Sequence, residues 1–227
     1  MLGTGSYRLL LATLAPPRCP ACLDPLPGTR DALCAPCARE LDWLGPRTCP
    51  RCALPPPCAP CPGRRRAWDR SWSPLAHDGP ARALVAALKF RGILVAADLL
   101  AAPLAAGAAD LIADGSLVPV PPDPRRRRRR GFDHAALLAD ALSRRTGAPV
   151  AACLRRGPAP RQLGAGRSRR LASAGRFAPT LAGSAPERAV LVDDVHTTGA
   201  TLDACARALR VGGAKTVIAL SATRALG

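Results

Sequence analysis

A-V-L-V-D-D-V-H-T-T-G-A-T-L-D-A, residues Ala189 to Ala204, is the stretch that decides the architecture. Ala189 to Val192 is an apolar run with β-branched side chains, too short for a helix, and predicts a buried parallel strand. Asp193 and Asp194 stand where that strand is expected to end. A polar turn follows, made of His196, Thr197, Thr198, Gly199 and Ala200. From Thr201 the spacing of Leu202, Ala206, Leu209 and Val211 is helical. The chain therefore passes from a strand tip to a helix N-terminus. In open α/β sheets ligands lie beyond the carboxyl ends of the strands, and unpaired amides at a helix start attract anions. Threonine hydroxyls donate to phosphate oxygens, and Gly199 lacks the Cβ that would hold the backbone away from a ligand. Two adjacent carboxylates repel phosphate, so they are expected to face neutral hydroxyls or a cation-bearing part of the ligand. A sugar phosphate with its ring diol on the acids meets both conditions.

Val190 to Leu202 resembles the thirteen-residue phosphoribosyl pyrophosphate (PRPP) motif of type I phosphoribosyltransferases. In that motif the acid pair holds the ribose hydroxyls and the threonine-glycine turn holds the 5′-phosphate. The resemblance makes Asp193 and Asp194 the expected catalytic and ribose-binding acids, and Thr197, Thr198, Gly199, Ala200 and Thr201 the expected phosphate loop. Apolar strands ending in Asp-Asp also occur in receiver domains, Walker B strands and Mg²⁺ phosphatases, but those do not place T-T-G-A-T at this offset.

The chain has 227 residues, enough for one medium domain and a small one, and a formal net charge of +17. Nearly all of the positive charge is arginine, since Lys89 and Lys215 are the only lysines. A GC-rich genome accounts for part of the preference for Arg over Lys, but not for the net charge. Arginine is the better bidentate partner for phosphate, so polyanionic ligands are expected. No run approaches the roughly eighteen apolar residues of a membrane helix. Leu9 to Ala15 resembles a weak signal-peptide core, but it is short and leads directly to Pro16-Pro17 and a cysteine cluster; it reads as a short amphipathic helix packed on the body, and the protein is expected to be cytoplasmic.

Eight of the ten cysteines form C-x-x-C pairs before residue 62: Cys19 and Cys22, Cys34 and Cys37, Cys49 and Cys52, Cys58 and Cys61. Each pair turns two thiolates toward one point, and two pairs complete a tetrahedral zinc site. Sequential use of the pairs gives two zinc ribbons, while a cross-braced arrangement, first pair with third and second with fourth, is possible from spacing alone. Disulfides would need an oxidising compartment, and iron-sulfur clusters use differently spaced cysteines. The segment has few large apolar residues, so metal must supply much of its stability. Cys153 and Cys205 stand among apolar neighbours and read as small buried residues.

Five prolines and three successive arginines in Pro55 to Arg66 mark the end of this module, which divides the chain into 1–66 and 67–227. Trp68 and Trp72 are expected to pack on the main domain. Ala81 to Leu88 predicts a helix capped at Gly92, with Lys89 and Arg91 in its last turn, placed either for the helix dipole or for a ligand. A second helix is expected over Ile93 to Ala113, ended or kinked by Pro103. Leu117 to Pro121 and Val150 to Leu154 read as strands. Between them lie the six arginines Arg125 to Arg130 and a helix capped by Asp133, with Ala136, Leu137, Ala141 and Leu142 on its apolar face. Arg155 to Arg176 holds seven arginines and no acid, and reads as a surface loop that closes over a polyphosphate. Thr216 to Ala222 predicts the last strand.

Taken together, the four C-x-x-C pairs, Leu88 to Gly92, Val118 to Pro121 leading to Arg130-Gly131-Phe132, Gln162, and Val190 to Leu202 resemble the ComF/GntX family. The resemblance implies a type I phosphoribosyltransferase-like α/β fold, a Rossmann-type parallel sheet, joined to an N-terminal double zinc ribbon. It implies structural Zn²⁺, Mg²⁺ carried with PRPP, and a part in DNA uptake and natural transformation, with single-stranded DNA and competence-machinery proteins as partners. Active transfer of phosphoribose to an acceptor is the alternative. Where the family has R-G-F-N-Q, this chain has Arg130-Gly131-Phe132-Asp133-His134, and His134 reads as a surface histidine.

Overall fold

A computed structural model describes residues 17–28, 32–157 and 179–227. In chain order the elements are α1 (Ala35–Arg39), β1 (Arg70–Trp72), β2 (Leu75–Ala76), α2 (Gly79–Arg91), α3 (Val95–Gly107), α4 (Ala109–Ile112) and β3 (Ser116–Pro119). They continue as α5 (Pro124–Arg130), α6 (His134–Thr146), β4 (Leu154–Arg156), β5 (Pro179–Leu181), β6 (Arg188–His196), α7 (Ala200–Val211) and β7 (Thr216–Arg224). The helix expected at Leu9 to Ala15, and most of the arginine-rich stretch including Gln162, lie outside the described residues.

The acid-bearing strand is longer than its apolar run. β6 continues through Asp193 and Asp194 to His196, because β7 runs beside it just as far, with Asp193 opposite Ser221, Val195 opposite Thr223 and His196 opposite Arg224. The hydroxyl of Thr223 donates to the Asp194 carbonyl at 3.0 Å. A polar strand end is tolerated there because its backbone groups find partners.

Among the described residues five strands form a parallel sheet in the order β1-β7-β6-β3, with β2 also pairing with β7. Successive apolar residues of β6 serve opposite faces, as expected for a parallel sheet covered on both sides. Val190 and Val192 join Leu88, Leu100, Leu104, Leu138 and Leu142 of α2, α3 and α6. Ala189 and Leu191 join Trp68 and the α7 residues Leu202, Cys205, Ala206 and Leu209 on the other face. After β3 the chain crosses away from β6 to a single parallel bridge between Val150 and Leu117; after β6 it crosses the other way to β7. The sheet order therefore reverses between β3 and β6, the position where open α/β sheets leave a crevice at their carboxyl ends.

Several expectations need correction. Val150 to Leu154 is not one strand of this sheet: Val150 makes only that bridge, and β4 pairs antiparallel with β5 apart from it. α3 runs through Pro103 to Gly107, held by the buried Leu100 and Leu104 on either side of the proline. The break comes at Gly107, where a Cβ would lie 2.4 Å from the Trp72 ring. The buried face of α6 is Ala135, Leu138, Ala139, Ala141 and Leu142, and Ala136 and Leu137 lie at its margin. Val211 is solvent-exposed at the end of α7. β1 and β2 are too short to leave a periodic signal. α5 carries a start signal that the arginine run obscures: Asp123 accepts the Arg125 amide at 2.9 Å, and Pro124 takes the first helical position.

Candidate functional site

Cys19, Cys22, Cys34 and Cys37 converge in one cluster, and Cys49, Cys52, Cys58 and Cys61 in another, each with its sulfurs within 4.8 Å of one another. The pairs are thus used in sequence, and the cross-braced alternative does not occur. All ten cysteines are free thiols. Cys22 and Cys34 sulfurs are 3.7 Å apart, as are those of Cys49 and Cys61. That is close to the edge of a tetrahedron built on metal-sulfur bonds of about 2.3 Å. Burial raises the Cys19 and Cys49 thiols, but backbone amides aimed at the sulfurs, with neighbouring thiols, outweigh it and bring them down to about 6 and about 7. Both clusters therefore have the donor chemistry of structural zinc. Cys153 and Cys205 are buried in the core face against α7, away from both clusters.

The second candidate site lies at the crevice between β3 and β6. A cavity of about 570 Å³ is lined by Asp193, Asp194, Thr197 and Thr201, with Lys89, Phe90, Arg130, His134 and Arg156 around it. The strand tip, the start of α7 and the last turn of α2 are thereby brought to one hollow. Thr197 and Thr198 are exposed, and the Thr198 hydroxyl accepts the Ala200 amide at 3.3 Å. Asp194 is 2% exposed, with Lys89 Nζ 2.7 Å and His134 Nε2 3.5 Å from its Oδ2. Asp193 is half-buried and accepts the Asp194 amide through Oδ1 at 2.9 Å. Burial, and then the adjacent Asp194 charge, hold the Asp193 carboxyl well above the usual carboxylate range. Such an acid gains most from a ligand that brings hydroxyl donors or positive charge.

Three residues sit differently from their sequence reading. Arg91 turns away from the cavity, donating to the Pro20 carbonyl at 2.6 Å and so fastening α2 to the first cysteine cluster. His134 is not a surface histidine: it packs between Asp194 and Arg130, whose Nη1 lies 3.4 Å from its Nδ1. Burial holds its imidazole below the ordinary value, so its approach to Asp194 is that of a neutral ring. Gly199 is glycine for an internal reason. Its φ is +74°, and a Cβ would lie 2.8 Å from both His196 Nε2 and the Trp68 ring. The turn packs down on the protein at this point, and it is not thinned there for a ligand.

His196 belongs to that packing. It is 3% exposed and meets Trp68 edge-on, with ring centroids 5.5 Å apart. Burial, with help from Arg224 and Arg66, pushes its imidazole down to about 3. Between that value and about 6.5 the unfolded chain binds a proton that the folded one refuses. The stability contributed is full above pH 6.5 and is lost as pH falls toward 3. Urea unfolding across this window should show a slope with pH that His196→Gln reduces.

The residue that sequence reasoning missed is Arg224, at the end of β7. Buried at 4% exposure, it donates through Nε to the Cys52 carbonyl at 2.8 Å, and through Nη1 to the His196 and Thr197 carbonyls at 2.7 and 2.6 Å. One side chain thus joins the second cysteine cluster to the turn at the cavity. Arg66 reinforces the join, donating to the Thr198 carbonyl at 2.8 Å and facing Asp203 of α7 at 3.5 Å. No local sequence signal marks Arg224, because Cys52, His196 and Thr197 are distant from it in the chain.

Fold and clusters together define a class: a Rossmann-like parallel α/β protein carrying two four-cysteine metal sites near its N-terminus. No helix among the described residues is long and apolar enough to cross a membrane. No family model matches the chain. It is similar to the DNA utilization protein YhgH of Salmonella typhi and to that of Salmonella typhimurium, each 32% identical over 221 residues, covering 89% of this chain and 94% of theirs. The chain belongs to the family of the DNA utilization protein YhgH.

Proposed function

We propose that this protein is a ComF-like PRPP-binding protein that acts in the cytoplasm, in contact with single-stranded DNA and proteins of the competence machinery, to bring external DNA into use. The observation that carries the reading is the single cavity in which Asp193 and Asp194 face Thr197 and Thr201 across the β6 tip, ringed by Lys89, Arg130 and Arg156. In this reading Asp193 and Asp194 hold the ribose hydroxyls, and Thr197, Thr198, Gly199, Ala200 and Thr201 form the 5′-phosphate turn. Arginines at the rim meet the pyrophosphate; Arg91 is left out because of its bond to Pro20, and Lys89 because it is the counter-ion of Asp194. His134, Asp193 and Asp194 form a group able to hold a metal ion, but Lys89 already supplies the counter-charge of Asp194. Mg²⁺ therefore fits as an ion carried by the pyrophosphate, whose charge it would neutralise. DNA handling is supported by the relatives, whose name states DNA utilization.

A second reading, phosphoribosyl transfer to an acceptor, is favoured by one observation. His134 lines the cavity with Nε2 on the Asp194 carboxylate, and its Nδ1, now facing the Arg130 guanidinium, would be free to take an acceptor's proton once that guanidinium turned to the pyrophosphate.

Calorimetry with PRPP and Mg²⁺ tests the site without knowledge of an acceptor. Asp193→Asn is expected to weaken binding at least about tenfold, or about 1.4 kcal/mol. Equal affinity in the two proteins would remove the ribose-binding role, and no heat with the wild type would remove PRPP. Release of pyrophosphate in the presence of nucleobases, abolished by His134→Gln, would select the second reading.

A further inference from the structure

The cavity mouth carries a feature that a sugar phosphate does not use. Phe90, in the last turn of α2, is 69% exposed, although Leu88 two residues earlier is completely buried. The guanidinium of Arg130, at the end of α5, stacks on its ring with Cζ 4.8 Å from the centroid. Beyond Arg130 the positive surface continues. Arg127 and Arg128 of α5, with Arg155 and Arg156 of β4, line a second hollow of about 770 Å³, and Arg156 borders both hollows. The acids there are already engaged: Asp133 accepts the Ala135 and Ala136 amides at 3.1 and 3.2 Å, and Asp123 faces Arg156 at 3.5 Å.

An aromatic face open to solvent, bounded by arginines in a concave surface, has the chemistry that binds an unpaired base together with its backbone. Every base offers a π-face for stacking, and guanidinium groups neutralise the phosphates on either side. A duplex keeps its bases stacked inside and would meet only the arginines.

We propose that Phe90 and Arg130 form a base-stacking platform, and that Arg127, Arg128 and Arg155 carry the phosphates of a single DNA strand leading to it. The inference rests on the DNA-contact reading above for its choice of DNA, and it assigns that contact a place, a mode and a strand preference.

Fluorescence anisotropy of the full-length zinc-loaded protein, with a labelled oligothymidine strand and an unlabelled duplex competitor, tests it. Phe90→Ala is expected to weaken strand binding roughly tenfold or more while leaving the salt dependence unchanged, and Phe90→Trp is expected to keep it. Arg127→Ser with Arg128→Ser should lower the slope of log affinity against log salt by about 1.4, close to 0.7 for each phosphate that is no longer neutralised. Strand binding by Phe90→Ala equal to wild type, or displacement of the strand by duplex at equal concentration, would overturn the platform and leave the DNA-contact reading standing. Failure of the wild type to bind any strand would overturn both.

Discussion

Arg224→Met will destabilise the zinc-loaded protein by about 3 kcal/mol or more in urea unfolding. The guanidinium is buried, and no carboxylate among the described residues lies within ion-pair distance. Its charge is satisfied by carbonyl oxygens: Cys52, His196 and Thr197, and also Ala225 at 2.6 Å. Methionine fills the space of the stem but leaves those carbonyls without their donor. A charged hydrogen bond contributes about 1.5–3 kcal/mol, and losses that share one side chain do not add fully. Arg224→Lys should fall between the two, since an ammonium keeps the charge but not the planar fork that reaches both strands and the cysteine knuckle. Because Cys52 belongs to the second four-cysteine cluster, loss of zinc from that cluster should act on the same turn. Cys58→Ser should therefore cost less in an Arg224→Met background than in the wild type. A loss below about 1 kcal/mol for Arg224→Met, or full additivity with Cys58→Ser, would show that the knuckle and the turn are not coupled through this residue.

Lys89→Ala is expected to cost about 3–5 kcal/mol, the usual consequence of removing one partner from a buried ion pair. Asp194 is almost wholly shielded from water, and the Lys89 ammonium is its nearest positive group at 2.7 Å. His134 cannot replace it cheaply, because burial disfavours the imidazolium that would be needed. The double variant Lys89→Ala with Asp194→Asn should recover much of the loss, since no buried charge then stands alone. Thermal or urea unfolding of the four proteins completes the cycle. If Lys89→Ala alone unfolds within about 1 kcal/mol of wild type, the pair is too solvated to hold the acid in place.

Much of the fold could be read locally. Ala189 to Val192 is apolar at every position because its sheet is covered on both faces, and that alone indicates a parallel strand. Gly92 ends α2 with a φ of +65°, and Asp133 caps α6 through its carboxylate, as their residue types predict. The cysteine spacing likewise announced the eight cysteines that cluster in fours. Charge patterning was less informative: six arginines in a row hid a helix start at Asp123 and Pro124, and a histidine beside a cap looked like surface.

What could be known from order along the chain was whatever depends on neighbours within a turn or a strand: element type, caps, and the ligand pairs of each cysteine knuckle. Which knuckles share a metal, why Gly199 must lack a Cβ, and that Lys89, His134 and Asp194 meet were decided by packing between segments far apart in sequence. Arg224 shows the reason most directly, since its hydrogen-bond partners Cys52 and Thr197 are 172 and 27 residues away. A buried charge takes whatever oxygens the closed fold brings to it, and no local pattern specifies those in advance.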